Sequence, residues 1–547
     1  MAKKPKEKRE PEIVTGLRLL DMAYGGEVVA RLNEAAQPLN LPNTLDNTPG
    51  ETADIQPQSE EEGEFQPLNE PVSLPESPSA PAASQVVFVA GGLPGEVVDV
   101  QLYRRKKSFL KANVLKVVEA APEREEAPCP YFGLDKWPNC GGCQWQHASY
   151  DAQLQYKHRI FRDQLVRLGG YHNSEPPLLP PVGARSAWGY RNNVEFQVDE
   201  QSGRPSFHRQ NSIRLVPVQS CHISHPLITL AIEPLTAALQ KHLPKRVHQV
   251  TLRVGPVSGD SRVSAEEITA LAPYNTDQTA RQGAEERFLA YTPLEIAMQP
   301  TRPTLLMVLR MLGEWSVNDL KPFVADLEEA LDKYCDITVY GEGRKRRLES
   351  PSGAPNLTEV LHGVTYQIPP LAFFQSNSPM AEVLISQAMS AFEVTGLNFE
   401  KSRLMDIYCG VGTFSLQMAK RGAQVFGIEE YEGAVTGASE NARLNGLEKQ
   451  CQFVAAKAEE YILQLEERGE HFDGALLDPP RRGCDPALLQ SLLKTRPPVL
   501  VYVSCDPSTL ARDIKILSEG YELIQTRVID LFPQTYHMES VSLLKAR

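Results

Sequence analysis

The sequence predicts a multidomain protein with a small N-terminal β-barrel, a mixed α+β central region and a C-terminal doubly wound α/β domain. Its 547 residues exceed one ordinary core, and such a length favours about three or four domains. The first 120 residues contain short alternating strands separated by Gly-Gly and Pro-Gly turns, which favour a small β-barrel. From Met380 onward apolar strands alternate with helical patterns, as in a parallel sheet covered by helices.

Composition and charge narrow the class of protein. With 41% hydrophobic and 23% charged residues, the chain is close to the soluble globular average. It has no uncharged apolar run of about 18 residues and no secretory leader, so we expect a cytoplasmic protein without a membrane partner. The net charge of −13 argues at first against nucleic acid. Basic clusters at 3–9, 104–111 and 344–347 nevertheless leave a local anionic partner open.

The N-terminal region is predicted as a basic tail, 1–12, followed by a β-barrel over 13–120. Strand patterns occur at 13–32 and 86–119. Between them, residues 35–84 contain nine prolines and nine acidic residues with few large apolar side chains. Such a segment cannot bury enough surface to offset its conformational entropy, so it is predicted as a disordered insertion in the barrel.

The central region, 121–365, is predicted to begin with a helix at 149–170. Ser149 can cap it, apolar residues recur at helical spacing, and Gly169-Gly170 can end it. Nine cysteines without a secretory leader make disulfides unexpected. Four cysteines with one C-x-x-C spacing could hold zinc or an iron–sulfur cluster equally well by ligand chemistry. These four are Cys129, Cys140, Cys143 and Cys221.

The C-terminal domain, 366–547, opens with a candidate nucleoside site. The stretch 404–414 is a strand followed by a G-x-G turn and a helix, where glycines let a ligand approach the backbone. Glu429 ends the next strand 19 residues after Gly410, the place where an acidic side chain binds ribose hydroxyls. The alternative is an ordinary tight turn between strand and helix.

Three further positions combine strand ends with reactive groups. Asp478 follows the strand 474–477, at the edge where ligands bind in such sheets, although a Pro-Pro turn with a capping Asp would look similar. Cys505 stands between a strand and a helix start, where the helix dipole favours a nucleophilic thiolate; a buried structural cysteine is the alternative. Glu539 could act as a base near this thiol or remain a solvated terminal glutamate.

These blocks together resemble the RNA uracil-5-methyltransferase family. D-P-P-R-x-G, S-C-x-P-x-T-L-A-R-D and D-x-F-P-x-T-x-H-x-E occur in family order after the segment 373–377. The resemblance implies that Cys505 adds to uracil C6, that the methyl group of S-adenosylmethionine is transferred to C5, and that Glu539 accepts the C5 proton. It also implies the cofactor-binding residues Gln375, Tyr408, Gly410, Thr413, Glu429 and Asp478.

The N-terminal regions extend the resemblance. The string C-G-G-C-Q-x-Q-H is similar to the [4Fe-4S] site of the same family, which implies a cluster on the four cysteines that supports an RNA-contacting central domain. Ten residues separate Cys129 from Cys140, where that family commonly has five, and the excess fits a surface loop. The string L-P-G-E-V-V-D-V and its basic loop resemble the TRAM module, an oligonucleotide-type barrel that binds RNA.

The implied activity is methylation of C5 of a uridine in structured RNA, with the base extruded from its stack into the Cys505 pocket. A TRAM module combined with four cysteines resembles the 23S ribosomal RNA branch of the family. We therefore predict 23S rRNA as the partner, with tRNA as the alternative, and a monomeric enzyme. Two rival hypotheses are a non-catalytic RNA-binding or ribosome-assembly factor and an iron–sulfur redox sensor acting on RNA.

Overall fold

The computed structural model describes residues 12–32, 85–106, 108–133, 139–255, 302–343, 348–351 and 356–547. The described residues form two compact units. One contains residues 12–21 and Val28–Ala121, and the other contains Met22–Glu27 and the described part of Pro122–Arg547. The acidic insertion, the basic cluster 344–347 and residues 1–11 of the basic tail lie outside the described residues.

The first unit is a closed five-stranded barrel, as predicted. Its strands are β1 (Glu12–Met22), β2 (Val28–Leu32), β3 (Gln85–Ala90), β4 (Val97–Arg105) and β5 (Phe109–Glu119). They follow the order β1-β2-β3-β5-β4 around the barrel. Along β4, Val98 and Val100 are buried and alternate with less buried residues, because successive side chains of a strand point to opposite faces.

A seven-stranded sheet, in the order β13-β12-β11-β10-β7-β8-β9, forms one part of the second unit. Its strands are β7 (Asn193–Val198), β8 (Pro205–His208), β9 (Leu215–Pro217), β10 (Val247–Gly255), β11 (Thr304–Met311), β12 (Asp336–Glu342) and β13 (Leu348–Glu349). The helices α2 (Pro226–His242) and α3 (Val317–Leu331) belong to the same region. Leu235 of α2, Phe323 of α3 and Leu252 of β10 share one buried apolar cluster, so helix and strand faces exclude water together.

An eight-stranded sheet confirms the predicted α/β domain. Its order is β18-β17-β16-β19-β20-β22-β21-β6. The strands are β6 (Leu178–Val182), β16 (Arg403–Ile407), β17 (Gln424–Glu429), β18 (Cys451–Ala455), β19 (Gly474–Leu477), β20 (Val499–Ser504), β21 (Tyr521–Ile529) and β22 (Glu539–Ala546). β16 to β20 pair in parallel, and β22 runs antiparallel to β20 and β21.

Helices and one hairpin complete this region. The helices are α1 (Tyr150–Leu168), α4 (Ser378–Val394), α5 (Thr413–Lys420), α6 (Glu432–Leu444), α7 (Ala458–Glu467), α8 (Pro486–Thr495) and α9 (Pro507–Leu517). The hairpin pairs β14 (Leu357–Leu361) with β15 (Val364–Ile368). The predicted caps of α1 are confirmed, because Ser149 Oγ accepts a hydrogen bond from Ala152 N at 3.4 Å and Gly169 ends the helix. None of the described helices combines the length and apolarity needed to cross a bilayer.

Candidate active site

The ends of five strands converge at one edge of the eight-stranded sheet. Tyr408 follows β16, Glu429 ends β17, Asp478 follows β19 and Cys505 follows β20. These four strands are parallel, so their carboxyl ends meet at the same edge. Because β22 runs in the opposite direction, its first residue, Glu539, reaches that edge as well. The fold thus gathers five of the predicted site residues.

Cys505 and Glu539 face each other across two neighbouring strands. Ser504 of β20 pairs with Ser540 of β22, so the next residues beyond this pair, Cys505 and Glu539, stand opposite one another. Glu539 is buried, with 5% of its surface exposed. Asp506 accepts hydrogen bonds from the first turn of α9, which fixes the end of the segment that carries the thiol. The geometry places a thiol beside a carboxyl group.

The resting site holds the thiol in its neutral form. Burial, followed by the nearby Glu539 and Asp478, raises the pKa of Cys505 to about 12, while Arg481 acts in the opposite direction. The helix N-terminus favours the thiolate, whereas burial and the two nearby carboxyl groups favour the neutral thiol. Cys505 needs a further change in its surroundings before it can act as a nucleophile.

The two carboxyl groups beside the thiol are also shifted. Burial, followed by Asp478, raises the pKa of Glu539 well above its usual range, and Arg481 opposes this shift. Burial, followed by Asp406, raises the pKa of Asp478 to about 7. Carboxyl groups that share a poorly solvated site disfavour each other's ionisation. A Glu539 carboxylate formed here would be a strong base.

Arg481 is a site residue that sequence reasoning did not single out. Its charge lowers the pKa of both Cys505 and Glu539, and its guanidinium lies 3.2 Å from Nδ1 of His537. Burial, followed by Arg481, lowers the pKa of His537 to about 4, so the imidazole is neutral and can accept this hydrogen bond. The sequence contains one signal that could have identified Arg481 as a site residue: it directly follows the Pro-Pro pair after the end of a strand.

The predicted nucleoside turn has an open backbone and an oriented acid. Gly410 and Gly412 have φ of +55° and +87°, conformations that glycine adopts without a steric penalty. Gly410 N donates to Glu429 Oε2 at 3.1 Å, and Tyr431 N donates to Glu429 Oε1 at 2.9 Å. Thr413 begins α5. The turn and the carboxylate therefore have the arrangement that a nucleoside requires.

Asp406 is a second residue that the sequence did not single out. It is fully buried in β16, and its Oδ2 accepts a hydrogen bond from Ser415 Oγ at 2.5 Å. Within the described residues, its Oδ1 has no hydrogen-bond partner. Burial raises the pKa of Asp406 to about 7. An unpaired buried oxygen beside the glycine turn is a place where a ligand donor can bind.

Gln375, one of the predicted cofactor-binding residues, is buried at 8% exposure and lines a small cavity with Arg253 and Phe374.

The alternative prediction for Asp478 is that its side chain caps the helix that follows it. The helix after Asp478 is capped by Asp485, which accepts a hydrogen bond from Ala487 N at 2.8 Å. Asp478 is thus not the cap of that helix.

The four predicted cysteine ligands line one cavity of about 210 Å³. Gly142 N donates to Cys140 Sγ at 3.3 Å. The neighbouring Gly141 is tightly packed, because a Cβ there would lie 2.9 Å from the backbone of Gln210. Among the described residues, no three His, Cys, Asp or Glu side chains are close enough to hold a metal ion.

Comparison with known proteins identifies the family. A family model described as tRNA (uracil-5-)-methyltransferase matches residues 305–547. An uncharacterized RNA methyltransferase of Gloeobacter violaceus is 31% identical over 478 residues, which cover 84% of this chain and 92% of that protein. An uncharacterized RNA methyltransferase of Halalkalibacterium halodurans is also 31% identical, with the same coverage of both chains. The chain belongs to the RNA uracil-5-methyltransferase family. It is therefore an S-adenosylmethionine-dependent methyltransferase.

A solved structure supports the fold of this methyltransferase. The tRNA (uracil-54, C5)-methyltransferase of Pyrococcus abyssi, in complex with S-adenosyl-L-homocysteine, superposes with a TM-score of 0.57 and 24% sequence identity. The match covers 84% of this chain and 95% of the Pyrococcus protein. At this identity the similarity concerns the fold.

Proposed function

We propose that this RNA uracil-5-methyltransferase methylates C5 of a specific uridine in 23S rRNA through a covalent adduct between Cys505 and uracil C6. The observation that carries the proposal is the opposition of Cys505 and Glu539 at the ends of β20 and β22, beside Asp478. A nucleophile and a proton acceptor on opposite strands suit a reaction that needs addition at one carbon and proton removal at its neighbour.

The reaction divides one difficult step into easier ones. The Cys505 thiol loses its proton to solvent as RNA binds, and Sγ forms a bond to C6 while the electrons of the C5–C6 double bond make C5 nucleophilic. S-adenosylmethionine, when bound beside the glycine turn and Glu429, would supply an electrophilic methyl group to C5 and would leave as S-adenosylhomocysteine. Glu539, once its own proton has left to solvent, removes the C5 proton as a carboxylate, the double bond forms again, and the bond between C6 and Sγ breaks to release the thiolate.

Three features support the assignment of the cofactor site. Glu429 is oriented by two backbone N–H groups, so it is placed to accept hydrogen bonds from ribose hydroxyls. The glycine turn leaves room for the ligand, and Asp406 presents an unpaired buried oxygen within the described structure. We assign Gln375, Tyr408, Gly410, Thr413, Glu429 and Asp478 to this site.

We also propose that Cys129, Cys140, Cys143 and Cys221 hold a [4Fe-4S] cluster with a structural role. The support for this proposal is that all four cysteines line one cavity of about 210 Å³ and that cysteine thiolates are the ligands of such clusters. The N–H of Gly142 directed at Cys140 Sγ is the kind of donor that stabilises a ligating thiolate. Because methyl transfer moves no electrons, the cluster supplies rigidity to the central domain.

The proposed domains keep the predicted boundaries: a TRAM barrel at 13–120, an iron–sulfur central domain at 121–365 and a methyltransferase domain at 366–547. The protein would act as a cytoplasmic monomer. The barrel fold and the cavity lined by the four cysteines support 23S rRNA over tRNA as the substrate, since the resemblance associates this pair of features with 23S rRNA. The alternative substrate is tRNA.

Trapping the adduct tests the mechanism. RNA that contains 5-fluorouridine has no proton at C5 for Glu539 to remove, so the reaction stops with the RNA bound to Cys505. The wild-type enzyme is expected to form a covalent complex that survives denaturing gel electrophoresis and maps to Cys505 by peptide mass spectrometry. Cys505→Ala is expected to form none. A complex of equal yield with Cys505→Ala would contradict the proposal.

A further inference from the structure

We propose that Gln153 and Lys157 of α1 are positioning residues for Glu539. They hold the loop 530–538, which connects β21 to β22 and leads directly into Glu539. The inference rests on the proposed function, because it takes Glu539 as the proton acceptor. Neither residue touches the reacting atoms, and both act through the shape of this loop.

One side of α1 is polar although it is buried inside the protein. Tyr150, Gln153 and Lys157 are spaced by three and four residues, so they lie on one side of α1. Gln153 and Lys157 have no exposed surface, and Tyr150 is 8% exposed. Buried polar groups cost free energy unless they are paired. Tyr150 and Lys157 form hydrogen bonds with Asp530, the first residue of the loop, and Gln153 forms one with Gln534.

Lys157 and Asp530 anchor the start of the loop. Lys157 Nζ lies 2.6 Å from Asp530 Oδ1, and both side chains are fully buried. Lys157 also donates to Phe532 O at 3.0 Å, while Phe532 N donates to Asp530 Oδ1 at 2.9 Å. Tyr150 OH donates to the other oxygen, Asp530 Oδ2, at 3.1 Å. The first turn of the loop is thereby defined by side chains of α1.

Gln153 holds Gln534 in a conformation that is unfavourable for its residue type. Gln534 has φ of +68°, a region in which a side chain other than glycine costs free energy. Its backbone N donates to Gln153 Oε1 at 2.8 Å, and Gln153 Nε2 donates to Gln534 Oε1 at 3.0 Å. Gln144 N and Trp145 N donate to Gln534 O at 3.0 and 3.1 Å. Such strain persists only where surrounding contacts overdetermine it, and it concentrates at functional sites.

The clamped loop delivers side chains to the reacting edge. Tyr536 and His537 follow Gln534, their rings lie 4.2 Å apart, and His537 accepts the hydrogen bond from Arg481. Glu539 then enters β22 opposite Cys505. A shift of the loop would move the carboxylate relative to C5, and a misplacement of about 1 Å can reduce a catalysed rate roughly 100-fold.

The same contacts join the cysteine-bearing segment to this loop. Gln144 and Trp145, whose N–H groups bind Gln534 O, directly follow Cys143 in the chain. Gln153 Nε2 also donates to Trp145 O and Ala148 O, at 3.1 and 2.9 Å. Gln153 therefore connects α1 with two other parts of the chain, the segment 145–148 and the loop 530–538. One amide side chain can thus determine the conformation of the loop.

Adduct accumulation separates a positioning role from a merely structural one. Loss of the proton acceptor leaves addition and methyl transfer intact but blocks release, so Glu539→Gln with substrate RNA is expected to accumulate a methylated covalent complex. Gln153→Met, of similar length but without hydrogen bonds, is expected to accumulate the same complex and to lower kcat about 100-fold, while its Kd for the RNA stays unchanged.

A second pair of variants tests the strained residue. Gln534→Val is expected to accumulate more complex than Gln534→Asn, because Asn tolerates positive φ and a β-branched side chain does not. This comparison stands even where Gln153→Met fails to fold. Leu165→Ala, which truncates a buried leucine near the end of the same helix, is the matched control: it is expected to lower the melting temperature without raising the fraction of covalent complex.

The outcomes separate the proposed role of Glu539 from the positioning role of the α1 side chains. If Glu539→Gln accumulates no complex, the proposed role of Glu539 fails. If Glu539→Gln accumulates it while folded Gln153→Met and Gln534→Val release product as fast as the wild type, the positioning role is overturned and the proposed function stands.

Discussion

At the scale of single residues, the chemistry of Cys505 depends on what surrounds it more than on where it stands in the sequence. Its place between a strand and a helix start was predictable from the S-C-x-P block. The raised pKa of its thiol was not predictable, because it depends first on burial in the folded chain and then on Glu539 and Asp478, which lie at the ends of β22 and β19. Arg481 shows the same limit: the motif that contains it is visible in the sequence, but its distance from His537 is a property of the folded chain.

The pKa of Cys505 gives a pH prediction. With a pKa of about 12, the reactive thiolate is a minute fraction at pH 7 and grows about tenfold per pH unit until the pKa is reached. Alkylation of Cys505 by iodoacetamide in the free enzyme, followed by peptide mass spectrometry, is expected to show this rise. Arg481→Met is expected to slow the reaction at each pH, because it removes a charge that favours the thiolate. A plateau below pH 8 would contradict the raised pKa.

At the scale of secondary structure elements, local patterns predicted α1 and four parallel strands, β16, β17, β19 and β20, but not the parallel strand β18. Ser149 and Gly169 determine where α1 begins and ends, and both signals are local in the sequence. β6, β21 and β22 were not predicted, because their places in the sheet depend on partners far away in the chain: β6 pairs with β21 across more than 340 residues. The opposition of Cys505 and Glu539 follows from the antiparallel pairing of β20 with β22.

The buried pair between α1 and the loop 530–538 gives a stability prediction. Lys157→Met leaves Asp530 as a buried carboxylate without its cation, which is expected to lower the free energy of unfolding by about 3–5 kcal/mol. Urea unfolding followed by tryptophan fluorescence measures this, since Trp145 lies 5.9 Å from Lys157 Nζ. The double variant Lys157→Met/Asp530→Leu is expected to recover most of the loss. A single-variant loss below about 1 kcal/mol would show that the pair is not required.

At the scale of the whole molecule, length predicted several domains, and the described residues form a barrel and a larger unit with a seven-stranded sheet, an eight-stranded sheet and the two-stranded hairpin. The net charge of −13 was a poor guide to the partner, because nine acidic residues are concentrated in the 35–84 insertion. The spacing of the cysteines did not separate zinc from a cluster, and the structure adds that all four cysteines line one cavity.

Removal of the proposed cluster tests its structural role. Protein purified without oxygen is expected to contain iron and acid-labile sulfide in equal amounts, and Cys221→Ser is expected to lose both and to melt at a lower temperature. Cys335→Ser, at a buried cysteine in the apolar core around α3, should keep its iron. Reduction of the intact cluster is expected to leave kcat unchanged. Zinc without sulfide in the purified protein would contradict the assignment.

The central claim is that this enzyme transfers a methyl group to uridine C5 in 23S rRNA through Cys505. The most direct measurement is transfer of labelled methyl from S-adenosylmethionine to unmethylated 23S rRNA and tRNA, with the modified nucleoside mapped in each. We expect 5-methyluridine at one site in 23S rRNA, absent with Cys505→Ala. Label confined to tRNA would contradict 23S rRNA as the substrate and favour tRNA. Label that persists with Cys505→Ala would contradict the covalent mechanism.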